Sequence, residues 1–187
     1  MTEKTSLLVM PAGLPSSGKS TICRYLETEF DLLRLGPEEE RSRIYGIKNF
    51  DEFKKRFGEN YKSEDQKVIK SVEIKRDLAL KEGKNVVIDV FAATYYTRRD
   101  WFAENGFYRH KPESNFLVYI ISNSEVLAQR EIERKRDSEA IKKFISASRW
   151  STPGLNEPLY TFLHYTNDSK EDLDFIMQQL PKDLGLK

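Results

Sequence analysis

The chain has 187 residues, 33% of them charged and 39% hydrophobic, an ordinary balance for one globular domain spanning 1–187 with a full core. Lys and Arg number 31 against 30 Asp and Glu, a net charge of +1, which argues against tight nonspecific nucleic-acid binding but leaves room for a local basic groove. No apolar run approaches the roughly 20 residues of a membrane span, so no membrane is expected as a partner. The first five residues lack a signal peptide's basic-then-apolar pattern, and the single Cys23 cannot form an internal disulfide, so a reducing cytoplasm is the expected compartment. The sequence sets no oligomeric state.

Leu7-Leu8-Val9-Met10 reads as a short buried strand. Gly13-Leu14-Pro15-Ser16-Ser17-Gly18-Lys19-Ser20 follows, then Thr21, and matches G-x-x-x-x-G-K-[ST], the phosphate-binding P-loop. Ile22, Leu26 and Phe30 then fall at helical spacing. Strand, glycine-bounded loop and helix N-terminus are what phosphate binding requires. The glycines let successive backbone N–H groups converge on a phosphate, and the helix end adds partial positive charge. Gly13, Ser16, Ser17, Gly18, Lys19, Ser20 and Thr21 are thus the expected nucleotide cradle. Lys19 would reach the β- and γ-phosphates and the Ser20 hydroxyl would ligate Mg²⁺. Cys23, in the helix, reads as packing.

Leu32-Leu33-Arg34-Leu35 is a second strand, ended by Gly36-Pro37. Glu38 to Gly46 reads as a short helix with Pro37 at its start. Asn49 to Phe57 is another, with Phe50, Phe53 and Phe57 on one side, ended by Gly58. Ser63 to Glu82 reads as a long helix with Ser63 as N-cap and Gly83 just past its end. Ile69, Val72 and Ala79 form its stripe; Arg76 falls among them and is taken to snorkel. Asn85 to Val90 is the strongest strand, continuously apolar except for Asp89 near its end. Thr94 to Asn105 reads as a helix stopped by Gly106, and Asn115 to Ile121 as a strand. A charged helix follows through about Arg134, then a polar break at Lys135 to Ser138, and a stripe of Ile141, Phe144, Ile145 and Ser148. Thr152-Pro153-Gly154 is a turn, Tyr160 to Tyr165 a last strand, and Lys170 to Leu180 a last helix.

Strands alternating with helices predict an α/β fold: a parallel sheet with helices on both faces and right-handed crossovers. Ligands then bind beyond the carboxyl ends of the strands, where the P-loop, Glu38 and Asp89 would gather. A carboxylate at Glu38 could accept the proton of an acceptor hydroxyl, although Glu38, Glu39 and Glu40 equally suit the first turn of a helix. Arg41, on the same helical face as Glu38, could clamp an acceptor phosphate or sit in an ion pair. Asp89 suits Mg²⁺ or its water shell. One of Arg98 and Arg99 could face the cleft; solvated surface fits them equally. Arg130, Arg134 and Arg136 could close over a triphosphate from a lid at roughly 130–145, or belong to an ion-paired helix with Glu131 and Glu133. His110 and His164 have no neighbours spaced as metal ligands and read as structural, and Trp101 and Trp150 as core.

The P-loop run resembles the GLPGSGKST loop of polynucleotide-kinase-like P-loop kinases. Leu35 to Gly46 is similar to that family's LxSDExRxxLxG segment, and Val86 to Asp89 with Arg98 to Trp101 resembles its VIxDxTN…RR…W stretch. Glu38 stands where the family has Asp, Pro37 where it has Ser, and Val90-Phe91-Ala92 where it has x-T-N. The resemblance implies a P-loop NTPase three-layer sandwich with a parallel five-stranded sheet and a small helical lid. It implies ATP and Mg²⁺ as cofactors and a hydroxyl acceptor on DNA, RNA or a nucleotide: a 5′-OH end or a hydroxymethylated base. By position, Glu38 is the catalytic carboxylate, Arg41 an acceptor contact, with Arg98 nearby, and the lid arginine one of Arg130, Arg134 and Arg136. A small-metabolite kinase and a nucleotide-switched regulatory or toxin-like module are the alternatives; no NKxD-type guanine motif supports a GTP switch.

Overall fold

A computed structural model describes residues 6–91, 94–102, 114–134, 152–153 and 160–187. Five strands form one parallel sheet: β1 Leu8–Ala12, β2 Leu33–Leu35, β3 Val86–Ile88, β4 Asn115–Ile121 and β5 Thr161–Thr166, in the order β2-β3-β1-β4-β5. The central strand β1 is buried along its whole length, as continuous apolar runs in parallel sheets are. Its residues alternate between two cores. Leu8 and Met10 pack with Val72, Leu80 and Trp101 on one face, and Val9 packs with Ile22, Leu26 and Ile176 on the other. The expected three-layer sandwich is the fold observed.

The helices are α1 Lys19–Phe30, α2 Pro37–Tyr45, α3 Phe50–Phe57, α4 Tyr61–Lys81, α5 Tyr95–Trp101, α6 Ser124–Glu133 and α7 Lys170–Asp183. Helix α4 begins at Tyr61 rather than at Ser63, whose hydroxyl donates instead to Asn60 O at 3.0 Å. A single 3-10 turn, Gly58–Asn60, carries the chain directly from α3 into α4, so no separate cap is needed. At the other end Gly83 closes α4 as expected, with φ 76 and two wrapping bonds, Gly83 N to Leu80 O and Lys84 N to Ala79 O.

Arg76 does not snorkel. It is 1% exposed, and its Nη1 donates to the carbonyls of Asp100 and Trp101 at 3.3 and 2.8 Å, while Asp77 balances its charge at 2.7 Å. The guanidinium thereby satisfies the open C-terminal carbonyls of α5 from a neighbouring helix. Helix α7 runs past Leu180 through Pro181 to Asp183. Pro181 cannot donate to Met177 O four residues earlier; the Tyr25 hydroxyl supplies that bond from α1 at 2.7 Å. Strands β1 and β5 each extend one to two residues beyond the apolar run that marks them. The end of the Thr94–Asn105 segment, the Ile141 stripe, Arg136, His110 and Trp150 lie outside the described residues. Among the described residues no helix is long and apolar enough to cross a membrane.

Candidate active site

The loop after β1 turns directly into α1. Ser16 and Gly18 have φ of 62 and 98, and Gly18 is the N-cap of α1. That left-handed conformation favours glycine at position 18, and a Cβ there would also stand 2.5 Å from Asn167 Nδ2. The turn leaves the first N–H groups of α1 aimed at the mouth of the loop, a ready anion site. Ser16 is a non-glycine residue in a costly conformation, and its side chain shows what holds it. Its hydroxyl accepts from Arg134 Nη1 at 3.0 Å and donates to Glu131, the C-cap and a residue of α6.

Asn167, just past β5, secures the loop from the other side. It is buried, donates from Nδ2 to Ser17 O at 2.8 Å, and its backbone carbonyl accepts from Arg130 Nη1 at 3.0 Å. Arg130 thus braces the loop from behind and lines neither of the two cavities at its mouth. Arg134 is exposed and lines both. Of the two described lid candidates, Arg130 and Arg134, it is the one that lines the cleft.

Lys19 opens α1 and is half-buried, with Nζ donating to Leu14 O at 2.7 Å. Burial pushes its ammonium down to about 8, against the pull of Asp89. It is therefore a desolvated cation held in waiting, not the solvated loop residue its position in the motif suggests. Ser20 Oγ donates to Asp89 Oδ1 at 3.0 Å. Asp89 Oδ2 accepts from Arg34 Nη2 and Nε at 2.6 and 3.1 Å, and Arg34 also reaches Glu39 at 2.6 Å. Gly36 makes the close approach of β2 to Asp89 possible, since a Cβ there would lie 2.7 Å from Asp89 O. A hydroxyl and a carboxylate side by side at a phosphate loop are the hard oxygen donors Mg²⁺ prefers, with phosphate oxygens and water completing its shell. Among the described residues no group of three or more His, Cys, Asp or Glu side chains is placed to hold a metal ion.

Glu38 lies at the start of α2, exposed, lines both cavities, and is paired with no described residue. The larger cavity, about 780 Å³, runs from Ser16 and Thr21 past Arg24, Arg34 and Lys48. The smaller, about 620 Å³, runs from Lys19 and Glu38 to Arg41, Phe50, Ile69 and Phe91. Arg41 lines it but is 6% exposed and bound to Asp65 at 3.0 Å. Arg98 is fully buried in α5 and lines neither cavity, so the structure does not bring it to the acceptor side. Its neighbour Arg99 pairs with Asp100 at 3.3 Å.

The sequence reading missed Arg34, Glu131 and Asn167. Arg34 left one signal, a lone cation inside an otherwise apolar three-residue strand. Asn167 left only its place after the last strand, where ligand-side residues of such sheets gather.

Residues 9–151 match the family described as an AAA domain. Among curated proteins none matches the sequence. Solved structures share the fold. A candidate kinase from Chloroflexus aurantiacus superposes with a TM-score of 0.65 at 18% identity, covering 97% of each chain. Shikimate kinase from Bacteroides thetaiotaomicron gives 0.61 at 13% identity, covering 96% of this chain and 99% of that one. A chain of the Pnkp1/Rnl/Hen1 RNA repair complex gives 0.58 at 22% identity over 78% of this chain and 44% of that one.

Proposed function

As a chain that belongs to the AAA domain family and has the P-loop kinase fold, this protein is, we propose, an ATP-dependent kinase that transfers the γ-phosphate to an alcohol. The observation that carries the proposal is Glu38: a carboxylate paired with no described residue, lining both the cavity at the phosphate loop and the one beside it. The acceptor oxygen bonds to the γ-phosphorus, its proton passes to Glu38, and the bond to the β,γ-bridging oxygen breaks, with ADP leaving as the electron pair's owner. Lys19 and Arg134 face the triphosphate and neutralise charge that grows on the transferring group. Ser20 and Asp89 would hold Mg²⁺, which supplies further neutralisation across the β- and γ-phosphates.

The resemblance in the P-loop and in the Glu38 segment favours a nucleic-acid or nucleotide hydroxyl as acceptor, and the Pnkp1 likeness supports it. A small-metabolite acceptor is the second reading, favoured by shikimate kinase superposing on nearly the whole chain. The buried free thiol of Cys23 fits a cytoplasmic enzyme. Glu38→Gln tests the assignment. It should lower kcat by about 10² to 10⁴ while ATP binding, measured separately, stays near wild type. Full kcat in Glu38→Gln would reduce Glu38 to an acidic helix start and pass the role of base to Asp89.

A further inference from the structure

One face of α6 is turned onto a single residue of the phosphate loop. Leu127, Arg130, Glu131 and Arg134 follow one another at helical spacing, the last as the C-cap. Leu127 lies in the core, and the other three all reach Ser16. Arg130 Nη1 donates to the Ser16 carbonyl at 3.4 Å, Glu131 Oε1 accepts from the Ser16 hydroxyl, and that hydroxyl accepts from Arg134 Nη1 at 3.0 Å. Ser16 and Glu131 are 8% and 5% exposed, whereas Arg134 is exposed and lines both cavities.

Chemistry fixes the direction of this chain of bonds. A carboxylate only accepts, so the Ser16 proton points at Glu131. The lone pairs of the hydroxyl oxygen are then turned to Arg134, in a charge-assisted bond stronger than one between neutral groups. An exposed arginine at a helix end otherwise samples many rotamers, and holding it in one costs entropy. Here it is held before any ligand binds. Both charges lie within electrostatic reach of Lys19, whose ammonium Glu131 favours and Arg134 disfavours. At φ 62 a glycine would serve the backbone of the loop without strain. What serine adds there is the hydroxyl, and both bonds of that hydroxyl run to α6.

We propose that Ser16 is a positioning residue: with its proton committed to Glu131, its hydroxyl sets the Arg134 guanidinium over the phosphate loop, where the transferring phosphoryl group would lie. The inference rests on the kinase proposal, which gives Arg134 the task of neutralising charge, and adds the side chain that aims it.

Two variants separate aiming from support of the loop. Ser16→Ala removes the hydroxyl and leaves the β-carbon at the same φ, while Ser16→Gly also removes the strain. A hydroxyl that only held the loop in shape would be dispensable in Ser16→Gly. A hydroxyl that aims Arg134 is missed equally in both. ATP and Mg²⁺ are supplied with a 5′-OH oligonucleotide and with shikimate, and the acceptor that wild type turns over faster is used. Each variant should lose about 10²-fold in kcat, the order expected for a catalytic group misplaced by about 1 Å, with the KM for ATP within about three-fold of wild type. Added to Arg134→Ala, either change should slow the enzyme less than two-fold further, because the group it aims is gone. The contact itself is read without an acceptor. Urea unfolding of nucleotide-free wild type, Ser16→Ala, Arg134→Ala and the double variant should show a coupling of about five-fold in the unfolding constant, the order of one hydrogen bond. Coupling below two-fold, a Ser16→Gly enzyme near wild-type kcat, or losses that multiply in the double variant would each overturn the inference. No turnover of either acceptor by wild type, with the coupling present, would strike the kinase proposal and this inference with it.

Discussion

Replacing Lys19 by Met should abolish phosphoryl transfer and at the same time stabilise the nucleotide-free fold. Burial lowers the Lys19 ammonium from 10.5 to about 8. At about 1.4 kcal/mol per unit, holding that charge at neutral pH costs the folded protein about 3 kcal/mol. Methionine keeps the stem but removes the charge, and it loses one hydrogen bond to Leu14 O, worth about 1 kcal/mol. The net expectation is a gain of about 2 kcal/mol at pH 7, or about 5 °C in Tm for a chain of this size. The sign follows from linkage. The folded-state value lies below the unfolded one, so the penalty is complete below about 8, shrinks as pH rises, and vanishes above 10.5. Wild type should therefore gain on Lys19→Met between pH 8 and 10.5. Urea unfolding of both proteins across pH 7 to 10.5 reads the difference, and coupled-enzyme turnover reads the loss of activity. An active Lys19→Met protein would sink the kinase reading. A variant less stable than wild type at pH 7 would refute the claim that Lys19 is held at a cost until phosphate arrives.

Arg134→Ala should lower kcat by about 10³ with a smaller effect on ATP binding, since Arg134 lines both cavities. Arg130→Ala should act mainly through stability and ATP affinity, because Arg130 braces the loop through Asn167; steady-state kinetics on the pair tells the two roles apart, and equal effects on kcat would contradict the assignment. Glu40 is buried between α2 and α4, where hydrogen bonds from Arg43, Lys75 and Ser71 outweigh burial and hold its carboxyl down to about 2. Its stabilisation, about 2 kcal/mol, is full above pH 4.5 and disappears as pH falls through 2. Glu40→Gln should be the less stable protein at pH 6 in urea, with the gap closing toward pH 2; a gap that stays constant with pH would show that packing, not charge, ties α2 to α4.

Elements with local causes were legible in the sequence. All five strands lie within about two residues of their apolar runs, because β1, β3 and β4 are covered on both faces and need no alternation. The P-loop was legible because every part of its chemistry lies in eight consecutive residues. What escaped is long-range. Arg76 looked like a surface arginine crossing a core stripe because the carbonyls it caps belong to α5, some 25 residues away. The last helix, read as ending at Leu180, runs on through Pro181 because the hydroxyl that replaces the missing donor comes from Tyr25, 152 residues before Met177. Asn167 meets Ser17 across 150 residues and leaves no spacing to detect. Arg41 and Arg98 matched arginine positions of a resembling family, but a sequence match does not reveal that Asp65 has taken the charge of one and that the other is fully buried.

The same distinction separates the two carboxylates at the phosphate loop. In the sequence Glu38 reads as an acidic helix start that could serve as a base, and Asp89 as an acid at the end of the strongest strand, suited to Mg²⁺. In the fold they have opposite environments. Asp89 is fixed on one oxygen by Ser20 and on the other by Arg34, so it is already oriented and already paired with positive charge. Such a group would suit holding Mg²⁺ together with Ser20, its two oxygens being already oriented. A general base needs the reverse, lone pairs free toward the cleft and no standing cation to make it a weaker base. Among the described residues Glu38 has no such cation partner, and its extra methylene relative to Asp sets how far it reaches. Gly36 has room for no side chain against Asp89 O, and Pro37 fixes the φ that launches α2. The backbone that presents Glu38 thus lies against Asp89 itself, which would couple the position of the proposed base to that of Asp89. Glu38→Asp, which shortens the reach by about one C–C bond while leaving that backbone in place, should therefore fail to improve kcat. A displacement near 1 Å at the reacting proton costs about 10²-fold, and a faster Glu38→Asp enzyme would show that the loop is not matched to the longer side chain.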